Sequence, residues 1–304
     1  MLTLLLACTD SKRFPPAPGL RMEANVAKPL LETRKAWKAA LRGSEPVSRA
    51  GKLYKGGYWT AATRARIDAA VPIKTLVVSA GLGLVDVQDW VPSYAATFTP
   101  GTPDSIPGAG NSGASRLWWS GLGAADRFKR EVTGQPDPRV IAALPTRYLD
   151  AAQPALADFV RVHGHERLAV LGGVGGKSQF PEFEQSWVAL DLRMVHKLGG
   201  TAGQLTARAL RWVCDQLDSP ASANPDNLRR LLAPLVDPDA PPLYPKRKKR
   251  TPEEVEAWIL RAWSQKTPPT SATAALRRFR AEGNAFEQKR FSSIYRALDA
   301  QRED

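Results

Sequence analysis

Three short, mainly apolar runs, each stopping at a turn of small or polar residues, constrain this 304-residue chain more than any other feature. Residues 2–7 read Leu-Thr-Leu-Leu-Leu-Ala and end in Cys8-Thr9-Asp10-Ser11-Lys12. Residues 73–79 read Ile-Lys-Thr-Leu-Val-Val-Ser and end in Ala80-Gly81-Leu82-Gly83, and residues 167–171 read Arg-Leu-Ala-Val-Leu and end in Gly172-Gly173-Val174-Gly175-Gly176. A strand covered on one face alternates apolar and polar residues, whereas a strand covered on both faces does not, so these runs predict buried parallel strands. Helical patterns at 26–41, 58–70, 124–131, 138–144, 146–163 and 201–217 supply the crossovers that parallel strands need. The expectation is an α/β fold with a mostly parallel sheet flanked by helices. In such sheets ligands bind at the carboxyl ends of the strands, so all three turns can line one crevice.

The chain divides by composition into an α/β catalytic domain at 1–218, a Pro- and Asp-rich linker at 219–250, and a helical domain at 251–304. Within the first, residues 99–123 hold too much Pro, Gly and Ser for an ordinary connection and read as a mobile lid or a disordered insertion. Trp118 and Trp119 at its end can stack on a base or pack the lid onto the body. The linker closes on Lys246, Arg247, Lys248, Lys249 and Arg250, a basic clamp. Beyond it, Thr251-Pro252-Glu253-Glu254 is a helix start. Helices at 252–265, 271–282 and 286–300, the last two joined by Gly283-Asn284-Ala285, give a helix-turn-helix outline.

Charge suggests the partner. The chain carries 43 Lys and Arg against 30 Asp and Glu, a net +13, which points to a polyanion. Residues 246–304 hold 14 of the bases and 8 of the acids, so the tail is the first candidate for phosphate contact, through the basic clamp and through Arg277, Arg278, Arg280, Lys289, Arg290 and Arg296. The other reading of that tail is a helical bundle with solvated charges. Two cysteines, Cys8 and Cys214, make no disulfide framework and no zinc site, and fit a reducing cytoplasm. The opening apolar run lacks the basic start and the length of a signal peptide, and no stretch reaches membrane-spanning length. His163, His165 and His196 give no metal-ligand spacing, so no metal is expected.

The turn after the first strand is the sharpest chemical signal. A carboxylate at Asp10, set there with Thr9 and Ser11, can activate water or stabilise a developing sugar cation, or simply cap the turn. The ammonium of Lys12 can keep that carboxylate ionised, contact a phosphate or base, or act as a nucleophile if its pKa falls. The glycine loop before Lys177 and Ser178 falls one residue short of a nucleotide-binding P-loop, because Leu171 stands where the first glycine belongs. Its backbone amides and Lys177 can still cradle a strand phosphate.

These residues resemble a family of small bacterial and phage α/β proteins that begin with a strand and an Ala-Cys-(Ser/Thr)-x-x-Lys turn, here Ala7 to Lys12. The family's Leu-Tyr-x-x-x-(Phe/Tyr) element is matched by Leu53-Tyr54-Lys55-Gly56-Gly57-Tyr58. Its Ser-Ala-x-x-Gly-Leu-(Leu/Val)-Asp element is matched by Ser79 to Asp86, and a Pro-x-Tyr follows at Pro92-Ser93-Tyr94. The likeness covers about the first hundred residues, the Gly172 to Ser178 loop loosely, and the tail not at all. The turn is similar to one in archaeosine synthase and in domains associated with tRNA-guanine transglycosylases, which implies modified bases as substrates. Members resembling this chain include anti-phage DNA glycosylases that excise glucosylated hydroxymethylcytosine. The chain departs from many relatives by carrying Asp10 and a single Lys12 instead of paired lysines, which favours hydrolysis over lysine transfer.

The resulting expectation is a cytoplasmic DNA glycosylase that acts as a monomer on double-stranded, modified phage DNA and needs no cofactor. Asp10 would stabilise the oxocarbenium-like sugar, Lys12 would bind the adjoining phosphate or base, and Asp86 would act with them. Cys8, Thr9, Ser11, Tyr58, Ser79, Gly81, Gly83, Gly173, Gly175 and Lys177 would line the pocket, with Tyr54 and Tyr94 stacking on the base. The alternatives are a tRNA base-modifying enzyme and a DNA-binding regulator without catalysis.

Overall fold

The computed structural model describes residues 1–25, 29–68, 71–241 and 247–303. In chain order its strands are β1 (Leu2–Ala7), β2 (Ser48–Arg49), β3 (Ile73–Ser79), β4 (Gly83–Asp86), β5 (Trp90–Val91), β6 (Arg139–Ala143), β7 (Leu168–Gly173), β8 (Trp187–Leu190), β9 (Lys248–Lys249) and β10 (Asn284–Ala285). The helices are α1 (Leu30–Arg42), α2 (Ala50–Leu53), α3 (Gly57–Asp68), α4 (Ser112–Gly121), α5 (Ala124–Phe128), α6 (Thr146–His163), α7 (Val195–Leu198), α8 (Leu205–Gln216), α9 (Pro225–Leu232), α10 (Pro252–Trp263), α11 (Ala272–Ala281) and α12 (Gln288–Glu303). The chain falls into two compact units, Met1–Ala240 and Pro241–Asp304.

The first unit is the expected α/β fold. Its six-stranded sheet runs β4-β3-β1-β6-β7-β8, parallel throughout except for the antiparallel β3–β4 hairpin. β1 sits in the interior of the sheet between β3 and β6, which is why every residue from Leu2 to Ala7 is buried and the run shows no alternation. Helices α3 and α8 pack on each other with α8 against β6, β7 and β8, while α4, α5 and α6 form a second group with α6 against β3. Among the parallel strands the order is second, first, third, fourth, fifth, so the winding reverses beside β1. The crevice that such a reversal opens lies at the carboxyl ends of β1 and β6.

Three expectations are corrected. Within residues 138–144, expected as a helix, Arg139–Ala143 is strand β6: Val140, Ile141, Ala142 and Ala143 are buried as they pair with β1, and a short apolar run carries no period that separates the two states. Residues 99–123 are neither a disordered insertion nor a free lid. Phe98 and Ile106 are buried, Thr97 pairs with Ser105, and α4 buries Trp118 and Trp119. Residues 219–240 are not linker, because α9 packs on β7, β8 and α8 within the first unit.

The second unit has its own core, in which Val255, Trp258, Ile259, Phe279, Phe291 and Tyr295 from α10, α11 and α12 meet. Thr251 and Glu254 form a reciprocal capping box at the start of α10. Residues 247–250 of the basic run are part of this unit and not linker: Lys248 and Lys249 are β9, paired in parallel with β10, and Lys248 N donates to Gly283 O at 2.8 Å. No helix among the described residues is long and apolar enough to cross a membrane.

Candidate active site

The turn after β1 is pinned before any side chain acts. Arg13 N donates to Leu53 O at 2.9 Å, Lys55 N donates to Ser11 O at 3.1 Å, and the Thr9 hydroxyl lies 2.9 Å from Ser11 O and 3.0 Å from Lys55 O. The matching elements at residues 8–12 and 53–58 are thus one structural piece, joined also by the Lys12–Tyr54 bridge. That pairing turns Lys12 inward and leaves Asp10 and the Ser11 side chain exposed.

Lys12 Nζ donates to Thr9 O at 3.0 Å and lies 4.2 Å from the centre of the Tyr94 ring and 5.9 Å from that of Tyr54. Burial lowers its pKa from the ordinary 10.5, and Cys8, Asp10 and Asp104 act against that shift. The aromatic faces stabilise the ammonium without hydrogen bonds to it, and the bond to Thr9 O takes one of its three donors, leaving two for a ligand. The expectation of Asp10 and Lys12 side by side in one recess is met only in part. They act on each other, but the acid stands at the lip and the base inside.

Behind Lys12 is a closed hydroxyl chain. Ser79 Oγ accepts from Gly81 N at 3.2 Å and Leu82 N at 3.0 Å, so its own hydrogen is directed to Tyr94 Oη, 2.6 Å away. Tyr94 Oη is 3.0 Å from Tyr54 Oη. Burial, then Cys8, pushes both phenols well above 10, so they stay neutral donors. Cys8 Sγ donates to Tyr148 Oη at 3.4 Å, and the Tyr148 ring packs edge-on against Phe98 with centroids 5.1 Å apart. Tyr148 belongs to the first turn of α6, which follows β6, so this contact spans the crevice where the winding reverses.

Several expected ligand contacts have structural duties instead. Tyr54 is 0% and Tyr94 1% exposed, so neither presents a face on which a base can stack. Tyr58 Oη bridges the ends of β1 and β6, accepting from Ala7 N at 3.2 Å and donating to Ala143 O at 2.7 Å. Gly81 is required by packing, since a methyl there would stand 2.2 Å from the Tyr94 ring. Gly83, at φ +76°, turns the β3–β4 hairpin. The carbonyls of Ala80, Gly81 and Gly83 accept from the indoles of Trp118, Trp37 and Trp119 at 2.7, 2.7 and 2.9 Å. The paired tryptophans therefore brace this turn and do not stack on a base.

Asp86 is corrected as a catalytic candidate. It pairs with Leu76, three residues back from the carboxyl end of β3, and its carboxylate accepts from Gln88 N at 2.9 Å in a tight turn. At about 3.4 Å per residue it is on the order of 10 Å down the strand from the crevice. The loop after β7 also separates from Lys12. Lys177 pairs with Glu184 at 2.8 Å on the surface, and β7 lies two strands from β1, about 10 Å at normal strand spacing. Gly173 and Gly175 have open space where a side chain would be.

Sequence reasoning missed Asp104, Tyr148 and a cavity whose Phe98 wall packs on Tyr148. Residues 97–106 fold back through Thr97 N to Asp104 O at 2.8 Å and Ile106 N to Thr97 O at 3.1 Å, which carries the Asp104 charge to Lys12. Asp104 Oδ1 is buried without a hydrogen-bond partner, an acceptor left open. A cavity of about 440 Å³ lies at the carboxyl ends of β6 and β7, lined among others by Phe98, Arg116, Thr146, Arg147, Asp150 and Phe180. A loop aspartate outside any periodic pattern leaves no sequence signal, whereas Tyr148 follows an expected strand-to-helix junction once β6 is read correctly.

Among the described residues no group of three or more His, Cys, Asp or Glu gathers as a metal site. His163 bonds Thr133 O at 2.8 Å and His165 bonds Ser186 Oγ at 3.2 Å. Compared with models of known families, with curated proteins and with solved structures, the chain gives no match.

In the second unit, several arginines expected at phosphates donate to their own backbone: Arg247 to Arg280 O at 3.1 Å, Arg280 to Phe286 O at 3.2 Å and Arg278 to Thr267 O at 3.1 Å. Arg250 pairs with Glu254 and Asn284, and Arg290 lies 5.3 Å from the Phe286 ring centre. Lys248, Lys249, Arg277 and Lys289 are exposed, and Lys246 lies outside the described residues.

Proposed function

We propose that this protein is a DNA glycosylase that hydrolyses the N-glycosidic bond of a hypermodified base, glucosylated hydroxymethylcytosine being the candidate that the family resemblance supplies, as a defence against phage. The observation that carries the reading is a lysine shielded over two tyrosines at the winding reversal, with Asp10 and Asp104 acting on it and a roomy polar and aromatic cavity on the same edge of the sheet. A base within a duplex is out of reach of such a recess, so the nucleotide must be extruded at a cost of about a few kcal/mol. Arg116 and Arg147, which line that cavity, would contact the polar substituents of the extruded base.

Asp10, at the lip, would face the sugar. As the bond from C1′ to the base nitrogen breaks, its carboxylate stabilises the oxocarbenium-like carbon and takes the proton of the water whose oxygen bonds to C1′. The Lys12 ammonium donates the proton that the departing base nitrogen needs, and a lowered pKa makes it a better acid for that step. Asp104 acts through its charge on Lys12, favouring the ammonium. This reading requires no cofactor, and the exposed lysines and arginines of the second unit hold the DNA.

The test is to incubate the full chain with duplexes carrying glucosylated hydroxymethylcytosine, hydroxymethylcytosine or cytosine and to count alkali-labile sites. Strand breaks confined to modified duplexes are expected, with a free base of the matching mass. No release from any duplex, or release by Lys12→Met at the wild-type rate, would overturn the reading.

A further inference from the structure

A second cavity, of about 420 Å³, opens between α3 and α8. The two helices pack on each other, and the cavity lies between a stripe of mainly small residues on α3 and a stripe of mainly long charged residues on α8. On α3 it takes Gly57, Thr60, Ala61 and Arg64, at helical spacings of three and four, and on α8 it takes Arg208, Arg211, Trp212 and Asp215. With Lys197 from α7, four cations line the cavity against the single carboxylate of Asp215, so the space is strongly positive when nothing fills it.

Two of these cations, Arg208 and Lys197, are held in place by backbone carbonyls before any ligand arrives, and Arg211 pairs with Asp215 at 3.9 Å. Arg208 Nη1 donates to Leu198 O at 3.0 Å and its Nε faces Gln204 Oε1 at 3.4 Å. Its guanidinium lies on Gly200, where a side chain would stand 2.2 Å from Nε. Lys197 Nζ donates to Pro234 O at 2.6 Å. A guanidinium has five donors, so bonds of this number orient Arg208 without exhausting it. Half-buried Trp212 adds an aromatic surface. Location matters as well: Tyr58, beside Gly57 on the first turn of α3, bonds to the last residues of β1 and β6, so the cavity begins next to the sheet edge that carries Lys12.

We infer that the α3/α8 cavity binds a phosphate-bearing nucleotide unit, its phosphate taken by Arg64, Lys197, Arg208 and Arg211 and its base or sugar set against Trp212. Bidentate guanidinium contact suits phosphate oxygens, and several such groups converging in one recess suit a phosphate better than a lone carboxylate. The site does not depend on base excision, and it would stand if Lys12 did no chemistry. The nucleotide can come from a strand or from the free pool, and the two sources differ in salt dependence and size.

The experiment measures binding alone, with the full chain. Anisotropy of a labelled single strand is followed across salt concentrations for the wild type and for Arg64→Glu/Arg211→Glu, with urea midpoints as the check on folding. Each single-strand phosphate that a variant no longer neutralises reduces the salt slope by about 0.7, so a fall of about 0.7 to 1.4 with an affinity at least tenfold weaker is expected. Calorimetry with deoxycytidine 5′-monophosphate and with inorganic pyrophosphate forms the second arm. Binding of these by the wild type and not by the double variant assigns the free pool, whereas a change in strand binding alone assigns the nucleic-acid backbone. Should the double variant lower the urea midpoint, Lys197→Ala, on α7 outside both helices, replaces it with an expected fall in slope of about 0.7. Wild-type slope, affinity and small-ligand binding in a folded variant would overturn the assignment.

Discussion

The turn after β1 and the loop after β7 leave the same edge of the same sheet, and both present polar residues with a lysine behind a strand. Their surroundings differ in what lies beneath. Under the first turn, Tyr54, Tyr94 and Ser79 form a buried, mutually bonded floor on which Lys12 rests, and Cys8 holds Tyr148. The loop after β7 instead rests Gly172 and Gly176 on the Trp187 ring, a side chain on Gly173 or Gly175 would meet open space, and Lys177 points away into an ion pair with Glu184 at the surface. A residue type at a strand end becomes a site only when packing fixes its orientation and removes water from around it.

The comparison breaks most sharply on activity. Lys12→Met should lower base release by at least about a hundredfold, the usual weight of a positioned proton donor, while Lys177→Met should leave it within about twofold. Single-turnover rates of base release on a modified duplex check this. Equal losses from the two variants would mean that both loops serve the same step.

On stability the contrast is next largest. Gly81→Ala forces a methyl against the Tyr94 ring and should cost about 1–3 kcal/mol, the range for overpacking a core. Gly175→Ala meets open space at an ordinary φ and should stay within about 0.5 kcal/mol. Urea unfolding of both variants decides. Tyr94→Phe comes below Gly81→Ala: it leaves Ser79 and Tyr54 without their shared partner and should cost about 1 kcal/mol, with a rise in the mobility of Lys12 seen as a broadened Nζ resonance.

How much of this is legible in the sequence depends on whether a feature is local. β1 and β3 are readable because mainly apolar runs bounded by turns have few other uses. The same rule fails at residues 138–144, where alanines next to a helical stretch suggest a helix. Val140 and Ile141 between Pro138 and Pro145 carry the strand signal, and only pairing with β1 makes it decisive. Strand β8 escapes the sequence reading because Trp187–Leu190 is four residues long. In the site, Lys12 and Tyr94 stand out through the motif, but the inward turn of one and the outward turn of Asp10 follow from hydrogen bonds to residues 53–55 that no local pattern encodes. Asp104 reaches Lys12 from far along the chain by a fold-back of its own loop. The basic tail shows the opposite failure: its charge is plain, but Arg247, Arg278 and Arg280 donate to the backbone of their own unit.

The smallest expected effect is the dependence of stability on pH, and its sign separates a shielded lysine from an exposed one. The pKa of Lys12 is lowered from 10.5 in the folded protein, chiefly by burial, and returns to that value on unfolding. Between the folded value and 10.5 the unfolded chain therefore binds more protons than the native one, and stability rises with pH through that interval. Below it both states are protonated and the native state carries the full cost of the buried charge. Lys12→Met removes this contribution, so the wild type should gain on the variant as pH climbs from neutral towards 10.5. Lys177→Met, changing a solvated side chain, should track the wild type across the same range. Urea midpoints of the three proteins at matched pH values measure the difference directly. A gap between wild type and Lys12→Met that stays constant, or closes in the other direction, would place Lys12 in water and remove the physical distinction between the two loops.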